Sequence, residues 1–146
     1  MEVYVRKCRV KDYRDISVLN KNEMGYDFPE GDTKGQLKRL LNNKAHKIYV
    51  ATVEGRVVGY IHANNYDLSY SPHMKNIMGI AVSSNFKKKG IGKMLLRKIE
   101  EWAISTGAQG VRLASGATRE GAHAFYIACG YHCGKGQKNF VKLLDN

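Results

Sequence analysis

Phe86-Lys87-Lys88-Lys89-Gly90-Ile91-Gly92-Lys93-Met94-Leu95-Leu96 joins two different hydrophobic periodicities. Before it, Ile77-Met78-Gly79-Ile80-Ala81-Val82 is an apolar run of strand length. After it, Ile91, Leu95, Ile99 and Trp102 recur at spacings of four, four and three, which lays one apolar stripe along a helix. Two glycines at the bend let backbone N–H groups approach a ligand closely, and the first turn of a helix carries four N–H groups without intrahelical acceptors. An anion suits such a site, so the stretch reads as a phosphate cradle made by Lys87, Lys88, Lys89, Gly90, Ile91, Gly92 and Lys93. A Walker A loop is excluded, because Lys87 stands where its first glycine belongs and Met94 where its Ser or Thr belongs. A dinucleotide fingerprint fits poorly, since Leu95 replaces its third glycine.

What the segment resembles is the Q/R-x-x-G-x-G/A signature of the GNAT superfamily of acetyl-CoA-dependent N-acetyltransferases, here Lys87-x-x-Gly90-x-Gly92, with Lys in place of the first Gln or Arg. A second stretch, Arg119-Glu120-Gly121-Ala122-His123-Ala124-Phe125-Tyr126-Ile127-Ala128-Cys129-Gly130-Tyr131, is similar to the R-x-x-A-H-x-F-Y-x-x-x-G-Y/F element of many such enzymes, small-molecule members in particular. Taken as a helix, it puts Ala122, Phe125 and Cys129 on one face and ends at Gly130. Read alone, Phe125-Tyr126 would be an aromatic core pair. The strand-like Val111-Arg112-Leu113-Ala114 lies between the two motifs, at the separation that the family shows.

At 146 residues the chain is expected to be a single domain, 1–146, able to bury roughly 68–70% of its unfolded surface. It holds no run of eighteen apolar residues, and it opens on the charged strand Met1-Glu2-Val3-Tyr4-Val5-Arg6. Cys8, Cys129 and Cys133 show no disulfide spacing, which points to a reducing, cytoplasmic home. No metal is expected, because Cys129, His132 and Cys133 lack further ligands nearby. With 24 Lys and Arg against 13 Asp and Glu, the net charge is +11. That suits nucleic acid, an anionic surface or a phosphate-rich cofactor. The aromatic residues are not interleaved with the basic cluster, which argues against nucleic acid.

In chain order, residues 3–9 read as a strand, followed by a helix capped by Asp12 that carries Tyr13, Ile16 and Leu19 and ends near Gly25. A polar stretch runs to Thr33, and a second helix carries Leu37, Leu40 and Leu41. Residues 48–53 and 57–63 form a hairpin around Glu54-Gly55, and a polar connection, Asn64 to Lys75, leads to the strand before the cradle. After the last helix come two short strands, 131–133 and 139–142. The order βααβββαβαββ is an α/β fold, a mixed sheet flanked by helices. The resemblance implies the same order in a GNAT-like, mostly antiparallel sheet with splayed central strands. It implies acetyl-CoA as cosubstrate, its pantetheine arm pairing with Ile80, Ala81 and Val82 and its pyrophosphate held by residues 87–93. Ser115 is a weaker contact.

Acetyl transfer to an amine needs an uncharged nucleophile, a polarised carbonyl and a proton for the departing thiolate. A strand N–H near Ile80 suits the carbonyl, and Tyr126 resembles the family's general acid. The strand 77–82 holds no acid, and Met78 stands at a position that is acidic in some relatives, so the base is expected to work through water, with His73, Tyr70, Asp67 or Glu23 as relays. His62 and His73 read as ordinary strand or loop histidines, and His123 as a residue packed beside the cofactor. Between Asn22 and Thr33 stand Glu23, Asp27, Glu30 and Asp32 with no Lys or Arg, a local charge of −4 near Tyr66, Asp67 and Tyr70. In the family layout this rim borders the acceptor, which makes Glu23, Asp27, Glu30 and Tyr70 candidate contacts to a small cationic amine. Protein or peptide acetylation, or an acyl-CoA- or nucleic-acid-binding module without turnover, are the competing classes. The oligomeric state stays open, a homodimer included.

Overall fold

The computed structural model describes residues 1–144, and the chain divides into two compact units, Met1–Ala114 and Ser115–Asn146. The first unit holds β1 (Val3–Lys7), α1 (Tyr13–Met24), α2 (Glu30–Leu41), β2 (His46–Val53), β3 (Arg56–Tyr66), β4 (Met74–Val82), α3 (Ile91–Ser105) and β5 (Gly110–Leu113). The second holds α4 (Glu120–Ala128). Sheet order is β1-β2-β3-β4-β5, with antiparallel neighbours except for the parallel pair β4 and β5.

Each sheet face buries the apolar stripe of its own helices. On one face Ile16 and Leu19 of α1 and Leu37 of α2 pack with Ile48, Val50, Tyr60 and Ala81. The expected stripe of α3, with Ile91, Leu95, Ile99 and Trp102, is buried as well. The hairpin turns on Glu54 and Gly55, whose φ values of 51° and 76° match the twist of the flanking strands. Gly25 ends α1 in the left-handed conformation, where the helix was expected to stop.

Several expectations need correction. Asp12 does precede α1, but its carboxylate turns back to the Arg6 guanidinium through two 2.9 Å bonds and accepts the Arg9 N–H at 2.8 Å. Helix α2 starts at Glu30, ahead of Thr33: Pro29 accepts the Thr33 N–H at 2.9 Å, and Glu30 and Asp32 complement the positive end of the helix. The polar connection shrinks to 67–73, because its outer residues pair across strands, Asn76 donating to Asn64 at 3.2 Å and Lys75 to Asn65 at 2.6 Å. The strands expected at 131–133 and 139–142 do not form among the described residues. Gly134 and Gly136 separate two short apolar patches that offer little cross-strand area, and Phe140 is 91% exposed.

Lys75 anchors the start of β4. It is 2% exposed, and its ammonium sits 4.0 Å from the centre of the Trp102 ring while donating to Asn65 and, at 3.0 Å, to His73 Nε2. His73 Nδ1 in turn lies 2.6 Å from Asp67, so the network assigns the proton to Nδ1 and leaves Nε2 to accept from the lysine. Two hydrogen bonds and a ring face thus take the three N–H groups of one buried cation. A double-mutant cycle of Lys75→Met and Trp102→Leu, read by urea unfolding, is expected to give a coupling of about 1–2 kcal/mol. Additive losses would remove the ring from this account.

Candidate active site

Opposite His62 and Ala63 of β3 stand Gly79 and Ile77, so Met78 is an extra residue in β4, a bulge. A bulge bends its strand and increases local twist. Pairing of β4 with β5 stops at Ile77–Leu113, just before it. From Met78 to Val82 the edge of β4 that faces away from β3 has no strand partner among the described residues, while Ile80, Ala81 and Val82 remain paired to β3. This opening is the splay expected of the central strands.

The phosphate-cradle segment follows directly. Ser83 donates its N–H to Val58 at 2.8 Å, and a short 3-10 turn runs over Ser84–Phe86. Lys87 is extended, Lys88 has a φ of 62°, and Gly90 precedes α3 with a φ of 81°. Only glycine takes that last conformation at no steric cost, so Gly90 sets the angle at which the helix begins. The first bond into the helix is Met94 N–H to Gly90 O at 3.0 Å; the N–H groups of residues 87–93 have no acceptor among the described residues. Lys87, Lys88, Lys89 and Lys93 are exposed around them, which suits a multiply charged phosphate.

Glu23, expected at the acceptor rim, makes its polar contacts with the loop after β4. From the end of α1 it reaches this loop, accepting from the Ser84 N–H at 3.1 Å and the Ser84 hydroxyl at 2.9 Å, with Lys87 Nζ at 3.3 Å; its side chain is 10% exposed. Burial works against its charge, but the Ser84 bonds and Lys87 outweigh that and hold the carboxyl below the usual glutamate range. Glu30 is spent on an exposed pair with Arg14 at 2.9 Å. Tyr70, 83% exposed at the tip of the β3–β4 connection, is not brought to these groups by any contact among the described residues. Asp27 is exposed, flanked in sequence by Tyr26 and Phe28.

Those two aromatics edge a cleft of about 420 Å³ over the α1 and α2 face of the sheet, lined also by Asn20, Met24, Tyr60, His62, Met78 and Gly79. A side chain at Gly79 would meet the Met24 thioether and the Tyr60 hydroxyl at 3.7 to 3.8 Å, so glycine keeps the floor open beside the bulge. Met78 is 56% exposed and contributes no carboxylate. His62 is the lining residue that sequence reasoning set aside. Its signal was the strand alternation that puts it on the face of Tyr60.

In the second unit, the Tyr126 ring on α4 packs at a tilt of 57–58° against Phe125 and Tyr131, with ring centres 5.5 and 6.2 Å away. Burial raises its phenol above the usual tyrosine range, against a smaller opposing effect of Arg119, so it stays protonated at neutral pH. Its hydroxyl makes no hydrogen bond among the described residues. Ser115 has a buried hydroxyl with no hydrogen-bond partner among the described residues. His123 Nε2 is 2.8 Å from Gly116 O, which ties α4 to its preceding turn. Among the described residues no cluster of His, Cys, Asp or Glu could hold a metal, and no helix is long and apolar enough to cross a membrane.

Residues 13–131 match the family model described as the acetyltransferase (GNAT) family. The chain belongs to that family. The aminoalkylphosphonate N-acetyltransferase of Salmonella typhimurium is 31% identical over 120 residues, 82% of this chain and 75% of that protein. The N-acetylaspartate synthetase of Xenopus tropicalis is 31% identical over 94 residues, 64% of this chain. This chain spans about a third of that protein's length, and 26% of its human counterpart. Among solved structures, the aminoglycoside acetyltransferase AAC(6')-Iy with a coenzyme A bisubstrate analogue superposes with a TM-score of 0.87 at 16% identity, covering 99% of this chain and all of that one. That likeness confirms the GNAT fold.

Glu23→Ala should cost about 1 kcal/mol of stability at neutral pH. Because the folded carboxyl is held below its unfolded value, its contribution is full above the unfolded pKa and disappears as pH falls through the folded one. Wild type and variant should therefore differ in urea midpoint at neutral pH and converge in acid. A gap that persists at low pH would point to packing instead.

Proposed function

We propose that this GNAT-family chain transfers the acetyl group of acetyl-CoA to the primary amine of a small cationic molecule. The observation that carries the reading is the convergence on one strand of three features: the open edge of β4, the cradle of unpaired N–H groups after it, and the cleft over Met78 and Gly79. Acetyl-CoA supplies an activated acyl thioester. The chain's own groups fit it: residues 87–93 offer N–H donors and lysines to the pyrophosphate, and the free edge of Ile80, Ala81 and Val82 offers backbone partners to an extended arm. The Ser115 hydroxyl is a further donor in want of a partner.

An N–H on the open edge near Ile80 polarises the carbonyl. Tyr126, protonated and without a hydrogen-bond partner among the described residues, donates to the departing thiolate. The acceptor enters the aromatic cleft, drawn by the exposed Asp27 that lies between Tyr26 and Phe28 in sequence, and by the faces of those two rings. Glu23 and Glu30 are engaged elsewhere, which leaves Asp27 and Asp32 to attract the cation. The named relatives divide on this point, the aminoalkylphosphonate enzyme naming an anionic amine and the aminoglycoside enzyme a polycation.

Thiol release over a panel of polyamines, aminoglycosides, aminophosphonates and amino acids tests the reading. The cationic amines should lead. A preference for aminophosphonates would reverse the charge assignment, and silence across the panel would reject turnover. Tyr126→Phe should lower kcat on the best amine by about 10²–10⁴-fold with acetyl-CoA affinity kept. By calorimetry, Gly92→Val should weaken coenzyme A binding at least about tenfold, the loss of one charged hydrogen bond. Equal affinity in a folded variant would move the pyrophosphate away from residues 87–93.

A further inference from the structure

His62 stands where the cleft meets the bulge. It faces Gly79 across the ladder and lines both this cleft and the adjoining hollow of about 170 Å³ under α2. Its Nε2 lies 2.9 Å from Nδ1 of His46, which β2 places two residues before Ile48, the cross-strand partner of His62. The ring centres are 5.1 Å apart. A neutral imidazole has one N–H and one lone pair, so a bond between two ring nitrogens sets both tautomers at once. With His62 donating through Nε2, its Nδ1 carries a lone pair, and that nitrogen has no protein partner among the described residues.

The surroundings leave a proton on His62 nothing to hold it. The titratable groups facing it are His46 from β2, Tyr60 from its own strand and Tyr26 from the loop after α1; α1, α2 and β4 contribute Asn20, Gln36, Met78 and Gly79, which do not titrate. Among the described residues no carboxylate lines the cleft. Burial, with His46 adding to it, pushes the His62 imidazole down to about 4, so it is uncharged and open to a proton at neutral pH.

We propose that His62 and His46 form a two-imidazole relay that removes the proton from the acceptor ammonium in the cleft. The inference rests on the acetyltransferase reading above. As the amine nitrogen becomes free to attack, its N–H bond breaks and a bond forms at His62 Nδ1. The Nε2 proton of His62 passes to His46 Nδ1, and the Nε2 proton of half-exposed His46 leaves to water. One proton enters and one departs, no charge stays in the cleft, and both rings return to their starting tautomers by exchange with solvent. A weak base serves because it hands the proton on. His62 touches the acceptor, and His46 acts through His62.

The test follows kcat/KM for the best amine between about pH 6 and pH 10 in wild type, His62→Gln and His46→Gln. His62→Gln should lower it about 10²-fold at neutral pH and approach wild type as pH nears the amine's own pKa, where the acceptor arrives without the extra proton. His46→Gln should show a smaller loss with the same recovery, and it tests the relay even if the buried substitution prevents folding. Coenzyme A affinity should hold in both. Losses equal at every pH, or no loss in either variant, would overturn the relay while leaving the acetyltransferase reading in place. A wild type that binds coenzyme A yet acetylates no amine would overturn both.

Discussion

One residue too many in β4 is the constraint on which the site depends. Because Met78 has no counterpart opposite it, β4 cannot run straight beside both neighbours. The strand stays with β3 through Val82 and parts from β5 at Ile77. Three consequences follow from that one mismatch. On the edge away from β3, residues 78–82 are left without a strand partner among the described residues, Gly79 lines the cleft, and the strand delivers the chain to the cradle before α3. A sheet that paired β4 fully on both sides would have the same core and no place for a ligand.

The excess positive charge is distributed to the same end. Four lysines surround the cradle, and a carboxylate from α1 reaches under the loop to hold it through Ser84. An acid in that position draws no cation from solution but keeps a cationic loop in register with the helix behind it. On the α1 and α2 side, the cleft is lined by aromatic, thioether and amide groups and by His62, with no charged side chain among its described lining residues. The loop after β4 and the cleft beside it thus present different chemistries, one rich in lysines and free N–H groups, the other aromatic and amide-lined.

Much of this was legible in the residues, for reasons that are local. The stripe of α3 and the Glu54-Gly55 turn are short-range signals, and each formed as read, while Gly90 takes the left-handed conformation ahead of α3. Gly31 and Gly35 hid the start of α2, because an acidic first turn and the Pro29 carbonyl outweigh two poor helix formers. The acid-rich stretch was read as one patch, but helix boundaries send Glu23 and Glu30 to different neighbours. The strands expected at 131–133 and 139–142 do not form among the described residues, where the Tyr131 N–H bonds back to Tyr126 O at 3.0 Å instead of to a neighbouring strand. Neither the bulge nor the His46 contact of His62 could be read at all, since both depend on the register between strands distant in sequence.

The buried ammonium of Lys75 gives β4 a mechanical character. At its first residues the strand is clamped, with Trp102 below, Asn65 and His73 beside, and β5 along its edge. Four residues later one side of that grip has gone. β4 is therefore built as a cantilever, stiff at the root and compliant toward the tip, and an extended ligand that docks along the tip completes the missing edge as an added strand would. Compliance sits in the few residues that must close on something, and rigidity in those that must not move.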